Sequence, residues 1–382
     1  MIRKLTILFG DAHLSYSPTV IGLYDLLSAH FDVTIVAKSP QFFDNRPIVN
    51  RKVVYIKQPK FRIARVPIKL AFRLATIRDT VAKLFAEINA PYQTFNEFKF
   101  VKDFLATEKP DVIIAVDFKS LFFAQLLNQK VDFVSLEIGR NDPFYAACEL
   151  ENVNSIVIQT PERYEHLFGD KELKTFYVQN SPIYIPIETA QTRKGLVYCG
   201  TAWDRFGFYH CLEFLKQYPS FSMNVRGAIL SGDKKRVVSE YGDLLASERL
   251  IIDQDYLDDK DVVDYLQTFR IGFSFYNFEI DEIDTFNYRS APSGKMFKYF
   301  AAGVPVVALE TIGAKPIAYF DCGVLIKDLR PESIKYAIDK IEGNFEHYAQ
   351  NCLKAAEHYS FDKMAKPFVE YLRGVASSES GE

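Results

Sequence analysis

The chemistry-bearing stretch of this chain is Tyr288-Arg-Ser-Ala-Pro-Ser-Gly-Lys-Met-Phe-Lys-Tyr-Phe-Ala-Ala-Gly-Val-Pro-Val-Val-Ala308. Ser293 suits a helix N-cap, and Met296, Phe297, Phe300 and Ala301 recur as one apolar stripe. Gly303 is placed to end the helix in the left-handed conformation. A short helix is therefore expected from Gly294, leading into a buried strand. Its first turn offers backbone N–H groups and a partial positive charge, Gly294 allows close approach to the backbone, and Lys295 adds a full charge. That combination suits a phosphate or diphosphate. Lys298 stands one turn further along, near the same face.

Two other charged stretches stand out. From Arg51 to Lys83 there are ten Lys or Arg and a single acid, Asp79, with Leu70, Leu74, Ile77, Val81, Leu84 and Phe85 at helical spacing. A basic amphipathic helix reads as a surface element for anionic lipid, and residues 51–85 are the expected membrane-facing part. The run Asp253-Gln-Asp-Tyr-Leu-Asp-Asp-Lys-Asp261 is acidic but leads into a helical pattern, where carboxylates suit the helix dipole. No metal site is expected there, and the five scattered cysteines encode neither a zinc site nor a disulfide framework.

These motifs need elements to carry them. Apolar runs of strand length alternate with helix-like stretches: Leu5 to Phe9, Thr19 to His30, Val33 to Val36, Asp111 to Val116, Leu121 to Leu127, Phe133 to Leu136, Ser155 to Ile158, Pro161 to Phe168 and Thr175 to Val178. Such alternation implies a parallel sheet covered on both faces. The polar segment 188–194 reads as a linker. Beyond it the pattern restarts with a strand ending at Cys199, a helix Tyr209 to Gln217 and strands at Met223 to Arg226, Leu250 to Ile252, Ile271 to Tyr276, Val304 to Leu309 and Val324 to Ile326. The expected organisation is an α/β chain with an N-terminal domain over 1–187, the linker 188–194, a C-terminal domain over 195–358, a terminal helix over 359–373 and a disordered tail over 374–382. Two doubly wound sheets bind ligands outside the carboxyl ends of their strands, so the expected site is a central cleft that the domains face.

Composition narrows the function. Of the 382 residues 48% are hydrophobic and 25% charged, the balance of a soluble globular protein. The formal charge of −3 argues against coating nucleic acid through an overall field. No stretch reaches the length of a membrane span, and Asp11 interrupts the apolar start where a signal peptide would continue. A cytoplasmic protein is expected, with 51–85 able to hold it peripherally on the inner face of the plasma membrane. The 33 Phe and 22 Tyr suit large interior side chains and surfaces that stack on sugars or lipids.

The 288–308 segment resembles the donor-binding signature of GT-B glycosyltransferases, a pattern of the form P-S-K-[LM]-F-E-Y-x-A-x-G-x-P-V-V-A. The resemblance extends to Gly200-Thr-Ala-Trp-Asp-Arg205, Arg226-Gly227, Ser155-Ile-Val-Ile-Gln-Thr-Pro161 and Val178-Gln-Asn-Ser-Pro182. Within the fold it is similar to the large group-1 class and to the xanthan-type glucuronosyltransferase. The resemblance implies two Rossmann-like domains, a nucleotide-sugar donor, a glycan or lipid-linked acceptor, and a metal-independent hexosyl or related transfer in surface polysaccharide or glycolipid assembly. No further cofactor is implied. Arg205 and Lys295 would hold the diphosphate, with Gly227, Ser293 and the backbone N–H groups of Gly294 and Met296 beside it. Glu279 matches the acid that contacts the donor sugar, and the family's second glutamate, which binds the ribose, aligns with Lys298.

An inverting transferase needs a general base at a strand end of the N-terminal domain. Glu137 is the first candidate, Asp142 and Asp117 follow, and His13 is placed to contact the acceptor. A retaining transferase needs none of them. Two other readings stay open: a nucleotide-sugar 2-epimerase on the same architecture, and a non-catalytic glycan- or partner-binding protein, suggested by Lys298 at a glutamate position.

Overall fold

A computed structural model describes residues 2–10, 14, 17–38, 50–56, 94–138, 143–187, 192–255, 257, 259–280 and 285–378. The chain divides into two compact units, Met1–Val157 with Glu172–Phe176 and Val375–Glu382, and Ile158–Lys171 with Tyr177–Gly374. No helix among the described residues is long and apolar enough to cross a membrane.

The first unit is built on a sheet of order β3-β2-β1-β4-β5-β6-β7. Its strands are β1 (Lys4–Phe9), β2 (Asp32–Lys38), β3 (Val53–Ile56), β4 (Val112–Val116), β5 (Val131–Val134), β6 (Val153–Ile158) and β7 (Thr175–Tyr177). β1 pairs in parallel with β2 on one side, Lys4 opposite Asp32, and with β4 on the other, Leu5 opposite Val112. Five consecutive residues of β1 are buried, because helices cover both faces of a parallel sheet and leave no polar side. β3 was not anticipated: it is four residues long and three of them are only half-buried.

Within β5, Asp132 is 4% exposed and accepts a hydrogen bond from Ser155 Oγ at 2.7 Å. Burial pushes its carboxyl up to about 6 despite that bond. The folded pKa lies above the unfolded value of about 3.9, so this residue's contribution to stability is greatest at low pH and is lost as pH rises through 6. Two units correspond to about 3 kcal/mol. Asp132→Asn is expected to melt higher than the parent at pH 8, on the order of 5 °C, with the gap narrowing at pH 5. Thermal unfolding at the two pH values checks this, and a pH-independent gap would count against it.

The second unit holds the sheet β10-β9-β8-β11-β12-β13, all of whose pairs are parallel. The strands are β8 (Leu196–Cys199), β9 (Met223–Arg226), β10 (Leu250–Asp253), β11 (Ile271–Ser274), β12 (Val306–Leu309) and β13 (Gly323–Ile326). Side chains alternate along β8: Leu196 and Tyr198 pack into one apolar layer, Val197 and Cys199 into the other. The order reverses between β8 and β11, which share only two paired positions, Leu196 with Ile271 and Val197 with Gly272. Beyond them the strands separate, and the Tyr299 hydroxyl fills the gap. It accepts from the Cys199 N–H at 2.8 Å and lies 3.2 Å from the Phe273 carbonyl, one of two that share its proton. Gly272 makes room for the ring, since a Cβ there would meet it at 2.7 Å.

Two boundaries differ from the sequence expectation. The helix Pro161–Phe168 belongs to the second unit, although it precedes the segment read as a linker. Its Arg163 is fully buried and donates through Nη1 to the Asn287 carbonyl at 3.3 Å and Ser290 Oγ at 3.4 Å. A guanidinium withdrawn from water must have partners, and these lie on the helix Thr285–Ser290. The terminal helix runs from Phe361 to Ser378, past Gly374, where the disordered tail was expected to begin. Of the linker 188–194, residues 188–191 lie outside the described residues.

Candidate functional site

At a reversal of strand order the loops leaving two neighbouring strands run in opposite directions and open a crevice at their carboxyl ends. In the second unit that place is the end of β8 beside β11, and the first turn of the helix Gly294–Ala301 reaches it, Lys295 lying against Gly200 and over the Tyr198 ring. Ser293 has the extended backbone of an N-cap, but its hydroxyl makes no capping hydrogen bond. The first-turn amides are thus not closed off by a side chain of the helix. Met296 is buried in the core and its N–H donates to the Ser293 carbonyl at 3.0 Å. The resemblance implied that the Met296 N–H lies beside the diphosphate; here the tight first turn of the helix takes that donor itself.

Lys295 is the centre of the arrangement. Its ammonium nitrogen is buried and has no hydrogen-bond partner among the described residues. It lies 4.3 Å from the centre of the Tyr198 ring and 5.2 Å from that of Phe206. The alkyl stem passes beneath Gly200, where a Cβ would stand 3.7 Å from Cε. Burial pulls the Lys295 pKa down to about 8. Aromatic faces offset part of the cost of a buried cation, while the missing partner is the place for an anion.

Further cations converge on the same strand end. Lys298, Lys295 and Arg226 all act on the buried Cys199 thiol, whose pKa burial raises and these charges lower. Arg226 is committed to the fold, paired with Asp253 at 2.6 Å, donating to the Asp255 carbonyl and lying 4.4 Å over the Tyr265 ring.

Gly200 and Gly227 bring the loops after β8 and β9 together. The Gly200 N–H donates to the Arg226 carbonyl at 2.8 Å, the Ala202 N–H to the Ala228 carbonyl at 2.8 Å, and a Cβ on Gly227 would fall 2.2 Å from the Gly200 oxygen. Gly294 lies against Asn180, whose amide would stand 3.1 Å from a Cβ there. Sequence reasoning quoted Asn180 within a family segment without giving it this role.

The loops after β8 and β11 are tied together. The Asn277 N–H donates to the Arg205 carbonyl at 2.8 Å, and the Asn277 side-chain amide donates to Asp204 Oδ1 at 3.3 Å. Asn277 Oδ1 then accepts from the Glu279 N–H at 3.0 Å, leaving the Glu279 side chain exposed. Arg205 lies over Trp203 at 4.6 Å and donates to the Tyr288 hydroxyl at 3.2 Å. Trp203 is half-buried in this cluster.

In the first unit, Asp117 and Glu137 come together, but in different capacities. Asp117 is buried, with a left-handed backbone, and its Oδ1 accepts from the N–H groups of Leu136 at 2.8 Å and Glu137 at 3.1 Å. It holds the loop after β5, while the Glu137 side chain is exposed. His13 and Asp142 lie outside the described residues. So does 57–85 of the basic stretch; of its start, Arg51 forms a two-pronged pair with Asp25 and Lys52 pairs with Asp32. No cluster of three or more metal-ligating side chains occurs among the described residues.

No protein-family model matches the sequence, and no curated protein matches it either. Solved structures do. Sucrose-phosphate synthase from Thermosynechococcus elongatus superposes with a TM-score of 0.68 at 13% identity, over 98% of this chain and 100% of that one. HepE from Anabaena, solved in complex with UDP and glucose, gives 0.62 at 13% identity, over 97% and 100%. A putative UDP-N-acetylglucosamine 2-epimerase from Listeria monocytogenes gives 0.59 at 14% identity, over 99% and 98%. The chain has the GT-B fold, as the 288–308 segment implied: two Rossmann-like units, each on a parallel sheet.

Proposed function

We propose that the protein is a glycosyltransferase that takes its sugar from a nucleotide diphosphate donor held on the second unit. The observation that carries this reading is the buried ammonium of Lys295, without a hydrogen-bond partner among the described residues, at the uncapped start of the Gly294–Ala301 helix, at the strand-order reversal. Breaking the bond between the sugar's anomeric carbon and the phosphate leaves negative charge on the departing diphosphate. A fixed cation and helix amides stabilise that charge without reorganising, which lowers the barrier without a metal. Arg205, for the diphosphate, and Glu279, for the donor sugar, lie on loops tied together through Asn277, which supports their serving one donor.

On the first unit we assign Glu137 as the base that accepts the proton of the acceptor hydroxyl. Its carboxylate is exposed and its backbone is held by Asp117, which acts as a positioning residue. The acceptor is a glycan or lipid-linked saccharide, and the cationic sequence 51–85 supports an anionic membrane surface as the place of work. Surface polysaccharide or glycolipid assembly fits those partners. HepE, a structural neighbour, was solved with UDP, which makes UDP the first nucleotide to try.

Saturating UDP is expected to raise the melting temperature on the order of 5 °C, since ligand at a hundred times its Kd adds about 2.7 kcal/mol. UDP release from UDP-sugars should then require an acceptor, and Glu137→Gln should abolish transfer while keeping the UDP shift. A folded protein that answers no nucleotide diphosphate would sink the reading. The likeness to the 2-epimerase favours one alternative, isomerisation of the donor sugar. Product analysis of UDP-N-acetylglucosamine incubated without acceptor separates the two.

A further inference from the structure

The Ser293 hydroxyl makes no capping hydrogen bond, so the Gly294–Ala301 helix does not fix its own start through that side chain. Its start is set by the chain that leads into it. The peptide between Ala291 and Pro292 lies flat on Gly313, where a Cβ would stand 2.1 Å from the Ala291 oxygen and 2.9 Å from the Pro292 nitrogen. Immediately before that peptide comes the short helix Thr285–Ser290.

That helix is held by the guanidinium of Arg163, which is 0% exposed and whose Nη1 reaches both the Asn287 carbonyl and Ser290 Oγ. Two more contacts fix the helix Pro161–Phe168 beside it. His166 stacks on Phe286, with ring centres 4.1 Å apart and planes at 21°, and Glu162 pairs with Lys315, just beyond Gly313. The Thr285–Ser290 helix also carries Tyr288, whose hydroxyl accepts from Arg205.

Neither acceptor depends on Arg163 for its only bond. Ser290 Oγ donates to the Phe286 carbonyl at 2.7 Å, and the Asn287 carbonyl accepts from the Ala291 N–H at 3.0 Å. Withdrawing a guanidinium from water is costly, and an apolar chain of similar volume often serves stability as well. What the planar fork adds is geometry, since it joins two points of one helix in a single register.

We propose that Arg163 is a positioning residue for the diphosphate site: by holding Asn287 and Ser290 it sets where Gly294 and the Lys295 ammonium stand. The inference rests on the nucleotide reading of the second unit. A cation stabilises developing charge best when it is already in place, and a displacement of about 1 Å can cost on the order of a hundredfold in rate.

Arg163→Met fills the volume and removes the fork. UDP binding to the full chain, measured by calorimetry, is expected to weaken at least about tenfold. The pH above which UDP affinity falls, set by the Lys295 pKa of about 8, should move up towards the ordinary lysine value as water reaches a displaced ammonium. Arg163→Lys keeps a donor for one acceptor and should recover most of the affinity and the pH profile. Ile341→Val, a small cavity under the helix Pro331–Glu342, lowers stability and should leave UDP affinity and its pH profile unchanged. Parental affinity and pH profile in Arg163→Met overturn the proposal, as does a weakening that Ile341→Val reproduces or that Arg163→Lys fails to reverse. Should Arg163→Met not fold, Ser290→Ala decides: UDP binding at least about threefold weaker supports the proposal, and unchanged binding overturns it. A parent protein that binds no nucleotide diphosphate overturns the nucleotide reading and this inference with it. A parent that binds UDP no better than Arg163→Met does overturns this inference alone.

Discussion

Replacing Lys295 with methionine raises the melting temperature of the free protein and removes its response to UDP. The ammonium is buried without a hydrogen-bond partner among the described residues, and burial lowers its pKa from 10.5 to about 8. Because the folded pKa lies below the unfolded one, the charged lysine destabilises the fold at pH 7, and this deficit disappears only as pH rises from 8 towards 10.5. The difference of 2.5 units corresponds to about 3 kcal/mol, the ceiling of what an apolar side chain of similar length recovers there. A gain of several degrees is expected. If Lys295→Met instead melts lower, the ammonium is serving the fold and the anion-site assignment fails.

The same group makes nucleotide binding depend on pH. A diphosphate beside the ammonium favours its charged form and raises its pKa. Near pH 8 the free protein is about half protonated at Lys295, so binding UDP there takes up about half a proton. Affinity falls as pH rises above 8, approaching tenfold per unit. Calorimetry at pH 8 in buffers of different ionisation enthalpy measures the uptake directly. Lys295→Met should show none.

Gly227→Ala is the second large effect. The new Cβ would fall 2.2 Å from the Gly200 carbonyl oxygen, at a backbone φ of +148° that L-residues rarely adopt. Two backbones cannot relax as a flexible side chain can, so the loops after β8 and β9 must part. That strains the hydrogen bonds of Gly200 and Ala202 across them and moves the stretch of backbone that covers the Lys295 stem. A loss of about 3 kcal/mol or more is expected, with at least about tenfold weaker UDP binding. Gly232→Ala is the control: nothing lies within 4 Å of a Cβ there and the position is helical, so it should be neutral or stabilising by up to about 1 kcal/mol. Urea unfolding of both variants checks the contrast, and similar midpoints would refute it.

Much of this site was visible along the chain because its signals are local. Ser293, Gly294 and Lys295 sit at a helix start that the apolar stripe of Met296, Phe297, Phe300 and Ala301 already marks, and Gly303 does have positive φ at its end. β8, β9 and the helix after β8 follow from runs of neighbouring residues. Where neighbours carry no pattern the reading stopped. The helix Ser231–Glu240 buries only Val237 and shows no stripe, and β3 is a short strand with half-buried side chains.

Other features depend on residues far apart in the chain. Asp117 reads as one more acid after a strand until the fold brings the amides of Leu136 and Glu137 to its oxygen. Arg163 reads as a surface base until it is buried against Asn287 and Ser290. Tyr299 becomes a plug only because β8 and β11 separate above it, and Trp203, Tyr276 and Tyr288 become one surface only because their loops are tied through Asn277. By itself the sequence determined strands, helices and a helix terminus suited to phosphate, since periodicity and capping act between residues within a turn or two of each other. Only the tertiary structure decided which charge is left without a partner, because burial and pairing depend on which strands lie side by side.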